Sequence, residues 1–188
     1  MIIFKGKPVE HIAKRTANLN PTSIYACQGA AWMDERCMLI WVGQIIAPYL
    51  FATPPPGIHL VILLDLYQCH MMASVMSEIA KLGIEVTNIP GSCTGLCQPL
   101  DVGIKKPFKA RVHRQWEEWM TDMIDTTNKV RNAMRAEVVE WVMATYWDMV
   151  VNSKKMRQNA WRKMGYDWFP GGLVYANGND NGNDNGGN

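Results

Sequence analysis

The stretch HLVILLDL, residues 59–66, decides the fold class. Its apolar residues do not alternate with polar ones, and they are aliphatic and β-branched. A run of this kind reads as a strand buried on both faces, the signature of a parallel sheet. Immediately after it, Met72, Val75, Met76 and Ile79 recur at helical spacing. Gly83 ends that helix, and Ile84–Ile89 reads as the next strand, stopped by Pro90-Gly91. Strand, helix and strand within about thirty residues make a βαβ unit. The class is α/β.

Upstream, Met1–Lys5 reads as a short strand closed by Gly6-Lys7-Pro8, and Ser23–Gln28 as a second. Residues 32–49 predict a helix with Met38, Trp41 and Ile45 on one stripe. Asp34 and Glu35 suit the positive end of its dipole, and Pro48 marks its end. Pro54-Pro55-Pro56-Gly57 reads as a loop. Beyond Pro107 the pattern turns helical, with Phe108, Val112, Trp116, Trp119 and Met123 on one face. A second helix carries Met134, Val138, Trp141, Val142 and Met149, and a short basic third runs from Lys154 to about Met164. Trp116, Trp119, Trp141 and Trp147 could stack bases, but their helical spacing predicts core packing. The tail NGNDNGNDNGGN, 177–188, has nothing to bury and is expected to be disordered.

The 188 residues suit one domain, and 48% apolar content is enough for an ordinary core. A net charge of +2 makes the molecule no polycation, so affinity for nucleic acid has to come from local patches. The five cysteines form no even framework, and MIIFKGKP does not read as a signal peptide. They are expected to be reduced thiols, and Cys93 and Cys97 lack the further ligands of a structural zinc site. The apolar run 60–66 is far too short to span a bilayer.

Asp65 is the odd residue of its strand. A carboxylate at the end of an apolar run is costly to bury unless it is paired or binds a cation, and ligands of open α/β sheets collect at the carboxyl ends of strands. The alternative is a helix cap or a loop salt bridge. Asp101, in GLCQPLDVGIKKPFK, could by itself be an acid stabilising a helix N-terminus. Taken together, the two carboxylates offer the hard oxygen ligands that Mg²⁺ prefers. Ions so held activate water and stabilise the leaving oxygen of a phosphodiester. Lys105, Lys106, Lys109, Arg111 and Arg114 crowd the residues after Asp101; they suit phosphate-backbone contacts, or form a solvated helix face. Lys154, Lys155, Arg157, Arg162 and Lys163 repeat the pattern and read as a solvated face.

LLDLYQCH at 63–70 and IPGSCTGLCQPLDVGIKKPFK at 89–109 resemble two blocks of the DDE superfamily endonucleases, in the right order and with thirty-five residues between the acids. MIIFKGK, AWMDE at 31–35 and QWEEWM at 115–120 are similar to pogo/mariner-like transposases. The resemblance covers roughly residues 1–125. It implies an RNase H-like fold whose acidic triad binds two Mg²⁺ (or Mn²⁺) ions to cut and join DNA. Asp65 takes the place of the second acid and Asp101 of the third. His70 matches a site-shaping histidine, and Gln98 and Pro99 fix the loop that presents Asp101.

The chain departs from the family at its start, where the strand bearing the first acid is expected and not found. Asp34, the only early stand-in, matches an ordinary helix-start acid. The expected architecture is therefore an RNase H-like fold lacking its first strand over 1–125, a helical C-terminal extension over 126–170, and a disordered tail over 171–188. The expected function is a transposase-derived, DNA-binding endonuclease domain with weak or absent chemistry, located in the nucleus. The alternatives are a module that binds a protein partner or a second copy through the C-terminal helices, and a decayed mobile-element fragment.

Overall fold

The structure, a computed structural model, describes residues 1–7, 19–52 and 60–166. Two short strands, β1 (Ile2–Lys5) and β2 (Tyr25–Gln28), pair in parallel with Phe4 opposite Cys27. Helix α1 (Glu35–Trp41) passes through a wide π-helical turn, Val42–Ile46, into α2 (Ala47–Ala52). Then comes the predicted unit: β3 (Val61–Asp65), a 3₁₀ turn at Gln68–Met71, α3 (Ala73–Lys81) and β4 (Glu85–Ile89). β3 and β4 pair in parallel, from Val61 opposite Glu85 to Asp65 opposite Ile89. The described strands thus form two separate two-stranded parallel sheets, and the α/β class holds.

The core explains why these elements form. Met38 and Val42 from α1 and its π turn meet Val75 and Ile79 from α3 over Leu64 of β3 and Ile84, just before β4. Ile79 and Val75 repeat at four-residue spacing, so one face of α3 is fully covered. The opposite side of the sheet has no such cover. Val61 is 50% exposed, so the expectation of a strand buried on both faces is corrected: two strands packed against two helices bury one face only.

A short helix α4 (Thr94–Cys97) and a second π-helical turn, Leu100–Ile104, lead into α5 (Lys105–Thr127), followed by α6 (Arg135–Asn152) and α7 (Lys154–Arg162). Asn128, at φ 50°, closes α5 in the left-handed conformation, its N–H donating to Ile124. Glu137 opens α6 by accepting the Met134 N–H at 2.6 Å. Arg135 ties α6 to β1, donating to the Lys5 carbonyl at 3.1 Å with its guanidinium 5.0 Å from the Phe4 ring centre.

Two further expectations need correction. Pro48 does not end its helix, which continues to Ala52. A π-helical turn leads into it, with the Ala47 N–H donating to the Val42 carbonyl, and Pro48, which has no N–H to donate, falls in the first turn of the helix that follows. The tryptophans are not all core: Trp119 and Trp141 pack edge to face at 5.5 Å, but Trp147 is 49% exposed and Trp116 is exposed as well. The buried stripe of α6 is Val139, Met143 and Met149, with Thr145, which leaves Met134 exposed. Pro54–Gly57, His59 and the 177–188 tail lie outside the described residues.

Candidate functional site

Asp65 is the last residue of β3, at the carboxyl end of a parallel strand. The 3₁₀ turn after it folds His70 back onto the strand end. His70 Nδ1 lies 2.7 Å from Asp65 Oδ1 and 3.2 Å from the Asp65 carbonyl oxygen. Both partners are acceptors, so Nδ1 carries the proton and Nε2 faces away from this pair. The Tyr67 N–H also donates to Asp65 Oδ1 at 3.3 Å, an Asx-type turn two residues on. The Tyr67 ring meets His70 edge-on at 5.7 Å and Trp32 at 6.4 Å.

Asp34 shares this end of the sheet. It caps α1, accepting the Cys37 N–H at 2.8 Å. Burial alone would raise its carboxyl, but the Cys37 hydrogen bonds and the Arg36 charge outweigh that and hold it below the usual carboxylate range. Burial first, and then the charges of Asp34 and Asp65, push the Cys69 thiol up. Asp34 thus stands near the end of β3, though its oxygens serve the helix.

Asp101 sits in the first turn of the helical path that becomes α5. Pro99, at φ −55°, starts that path, and the Gln98 carbonyl accepts the N–H groups of both Asp101 and Val102, at 3.0 and 3.1 Å. Lys105, one turn on, places Nζ 2.7 Å from Asp101 Oδ1. The Gln98 side-chain oxygen is buried and has no hydrogen-bond partner among the described residues.

These donors have the right chemistry for a hard cation, but they do not complete a site. Asp65 is engaged by His70, and Asp101 by Lys105. Among the described residues no three His, Cys, Asp or Glu side chains gather into a group that could hold a metal ion. A two-ion centre needs more oxygen ligands than these residues bring together.

The five cations singled out after Asp101 have different surroundings. Lys105 is held by Asp101. Arg111 reaches from α5 to Ser153 at 3.1 Å and to Asp148 at 3.5 Å, and so fastens α5 to the end of α6. Arg114 lies 3.6 Å from Glu118, both well exposed. Lys106 and Lys109 are exposed, and no hydrogen bond or ion pair among the described residues engages them. The short basic helix that the spacing predicts, α7, packs directly on the Leu100–Ile104 turn that carries Asp101, and this packing is what spacing could not show. Only tertiary contact joins the two, since forty-nine residues lie between Ile104 and Lys154 in the chain.

A family model described as DDE superfamily endonuclease matches residues 1–161. Human "Pogo transposable element with ZNF domain" is 23% identical over 126 residues, 67% of this chain and 8% of that protein. Mouse "Pogo transposable element with KRAB domain" is 26% identical over 123 residues, 64% of this chain and 20% of that protein. Its human counterpart is 25% identical over the same length. The chain therefore spans a fifth or less of these relatives. No solved structure matches it.

Proposed function

The chain belongs to the DDE superfamily endonucleases, and on that premise we propose that it is a transposase-derived domain that binds nucleic acid. In this reading Asp65 and Asp101 occupy the second and third acid positions, with His70, Gln98 and Pro99 shaping the site around them. The observation that carries the reading is the place of Asp65, at the carboxyl end of β3 and inside the matched region, where ligands of parallel sheets bind. The family's chemistry depends on a divalent ion, Mg²⁺ or Mn²⁺, that polarises the phosphodiester. Among the described residues the two carboxylates that such an ion would use are both engaged, so in this reading phosphodiester cleavage by this chain alone is weak or absent.

The same reading takes the two small sheets as parts of one RNase H-like sheet, with a further strand between β1 and β3. The short, two-stranded parallel sheets support it. It also divides the chain into a catalytic-fold portion to residue 125 and a helical extension from 126, with α5 packed on α6 across that boundary. DNA as the partner places the protein in the nucleus.

Two measurements test the proposal. The chain should retard DNA at low salt, and supercoiled DNA with Mg²⁺ or Mn²⁺ should be nicked slowly or not at all. Robust nicking that Asp65→Ala abolishes would overturn the claim of weak chemistry. Failure to bind DNA at low salt would overturn the proposal itself.

A second reading, a protein-interaction module, is favoured by a groove of about 570 Å³ lined by Met1, Ile24, Trp41, Phe108, Tyr146 and Trp147. Exposed Val150 and Val151 extend this apolar surface along α6. Light scattering that gave a stable oligomer, together with undetectable DNA binding, would put this reading first.

A further inference from the structure

Helix α7 and the residue after it, KKMRQNAWR and Lys163, carry five cations and no acid. Like charges one turn apart repel, by about 0.2–0.5 kcal/mol for each pair on a helix. On α5, Lys105 is held by Asp101 and Arg111 by Ser153 and Asp148, while Lys106 and Lys109 have no such partner among the described residues; on α7 itself, Arg157 donates to the Met149 carbonyl. Lys155 and Lys163 are exposed, and no hydrogen bond or ion pair among the described residues takes their ammonium groups.

Their placement is specific. Lys155, Asn159 and Lys163 follow one another at four-residue spacing, so they form a single stripe about 12 Å long at 1.5 Å per residue. All three line a cleft of about 390 Å³, whose far wall includes Gly103. Gly103 belongs to the turn that carries Asp101, and the Ala160 Cβ lies 2.5 Å from where a Gly103 Cβ would stand. Ala160, beside the stripe on α7, therefore sits against the Asp101 turn at backbone distance, and no side chain from Gly103 enters the cleft that the stripe lines.

We propose that this cleft is a second nucleic-acid contact, in which Lys155 and Lys163 take phosphates of one backbone and Asn159 donates to an oxygen between them. The inference rests on the nucleic-acid-binding reading above and extends it from α5 to α7. The chemistry favours phosphodiester: two compact ammonium charges with a neutral amide between them suit a regular row of monoanions and need no base contact. The contact is independent of sequence and sensitive to salt.

The test is fluorescence anisotropy of a labelled duplex with the full 188-residue chain over a range of KCl concentrations. Each lost phosphate contact reduces the slope of log K against log salt by about 0.9, so Lys155→Ala/Lys163→Ala is expected to flatten it by about 1.8. Lys155→Arg/Lys163→Arg should keep the parent slope. Lys81→Ala, on α3 and paired with Glu78, should also leave it unchanged. Circular dichroism checks that the double variant is folded, and Lys155→Gln/Lys163→Gln replaces it if it is not. A parent slope in the folded alanine or glutamine variant overturns this inference and leaves the underlying reading standing. No DNA binding by the parent chain overturns both. Polyglutamate that binds the cleft lysines more tightly than duplex does would assign the surface to an acidic protein and overturn the proposal.

Discussion

The backbone of Gly103 lies against Ala160 so closely that a Cβ at position 103 would fall 2.5 Å from the Ala160 Cβ and 3.0 Å from its Cα. This contact presses α7 onto the turn that presents Asp101. Backbone atoms on the Ala160 side cannot move aside as a flexible side chain would. Gly103→Ala is therefore expected to cost about 1–3 kcal/mol, the usual range for overpacking. A lower urea midpoint at unchanged slope would show it. Adding Ala160→Gly should recover part of the loss, less the cost of about 0.5–1 kcal/mol that a helical glycine carries. Full stability in Gly103→Ala alone would mean that α7 is not held at this distance.

Glu137 gives a second prediction, concerning pH. Its carboxylate pairs with Arg131 and accepts from the Met134 N–H at 2.6 Å and the Trp119 indole N–H at 3.1 Å. Arg131 first, and then these donors, bring its pKa from 4.5 down to about 2. A depressed carboxylate contributes stability that is fully present above its unfolded value and is lost as pH falls through the folded one. The start of α6 is thus expected to loosen between about pH 4.5 and pH 2. Melting temperatures across that window should fall less steeply in Glu137→Gln than in the parent. Parallel curves would remove Glu137 from the account.

The βαβ unit was legible in the sequence because each of its parts has a local cause. An aliphatic run makes β3, four-residue spacing makes α3, and Gly83 with φ 69° makes the turn into β4. What escaped the reading depends on contacts between distant residues. Nothing in the spacing around Pro48 announces a π turn that leads into a continuing helix. Met134 is exposed because it caps α6 from outside the helix, where Arg135 beside it bonds to the Lys5 carbonyl of β1 from 130 residues away. At the site, the aliphatic strand pointed to Asp65 and the QPLD block to Asp101. The Asp101–Lys105 pair is a local contact at four-residue spacing, whereas the hold of His70 on Asp65 depends on how the 3₁₀ turn folds back. The exposed lysines of α7 agree with its reading as a solvated face, but its packing beside the Asp101 turn escapes local pattern because that turn is remote in the chain.

Asp34 separates a helix cap from a stand-in acid. Its side chain accepts the Cys37 N–H, and losing an aspartate cap of this kind costs about 0.5–2 kcal/mol. Asp34→Ala should lower the denaturation midpoint by that amount, while Asp34→Ser should keep most of the stability. Any residual Mn²⁺-dependent nicking should be the same in parent and Asp34→Ser. Loss of that nicking in a folded Asp34→Ser variant would make Asp34 a participant in the chemistry.

Divalent ions supply the last prediction. A cation bound by Asp65 shares the carboxylate with the His70 imidazole, and one bound by Asp101 shares it with the Lys105 ammonium, each of which lies 2.7 Å from Oδ1. Such competition makes binding weak. A tight site filled at a hundred times its dissociation constant would add about 2.7 kcal/mol of stability, because the ion binds only the folded chain. Millimolar Mg²⁺ is expected to add well under half of that, and chelation of trace metal to leave the melting temperature unchanged. His70→Ala should tighten Mn²⁺ binding by freeing an oxygen of Asp65, and calorimetry would register it as a higher affinity at equal stoichiometry. A large Mg²⁺-dependent rise in stability that disappears in both Asp65→Asn and Asp101→Asn would show instead that the two carboxylates grip one ion between them.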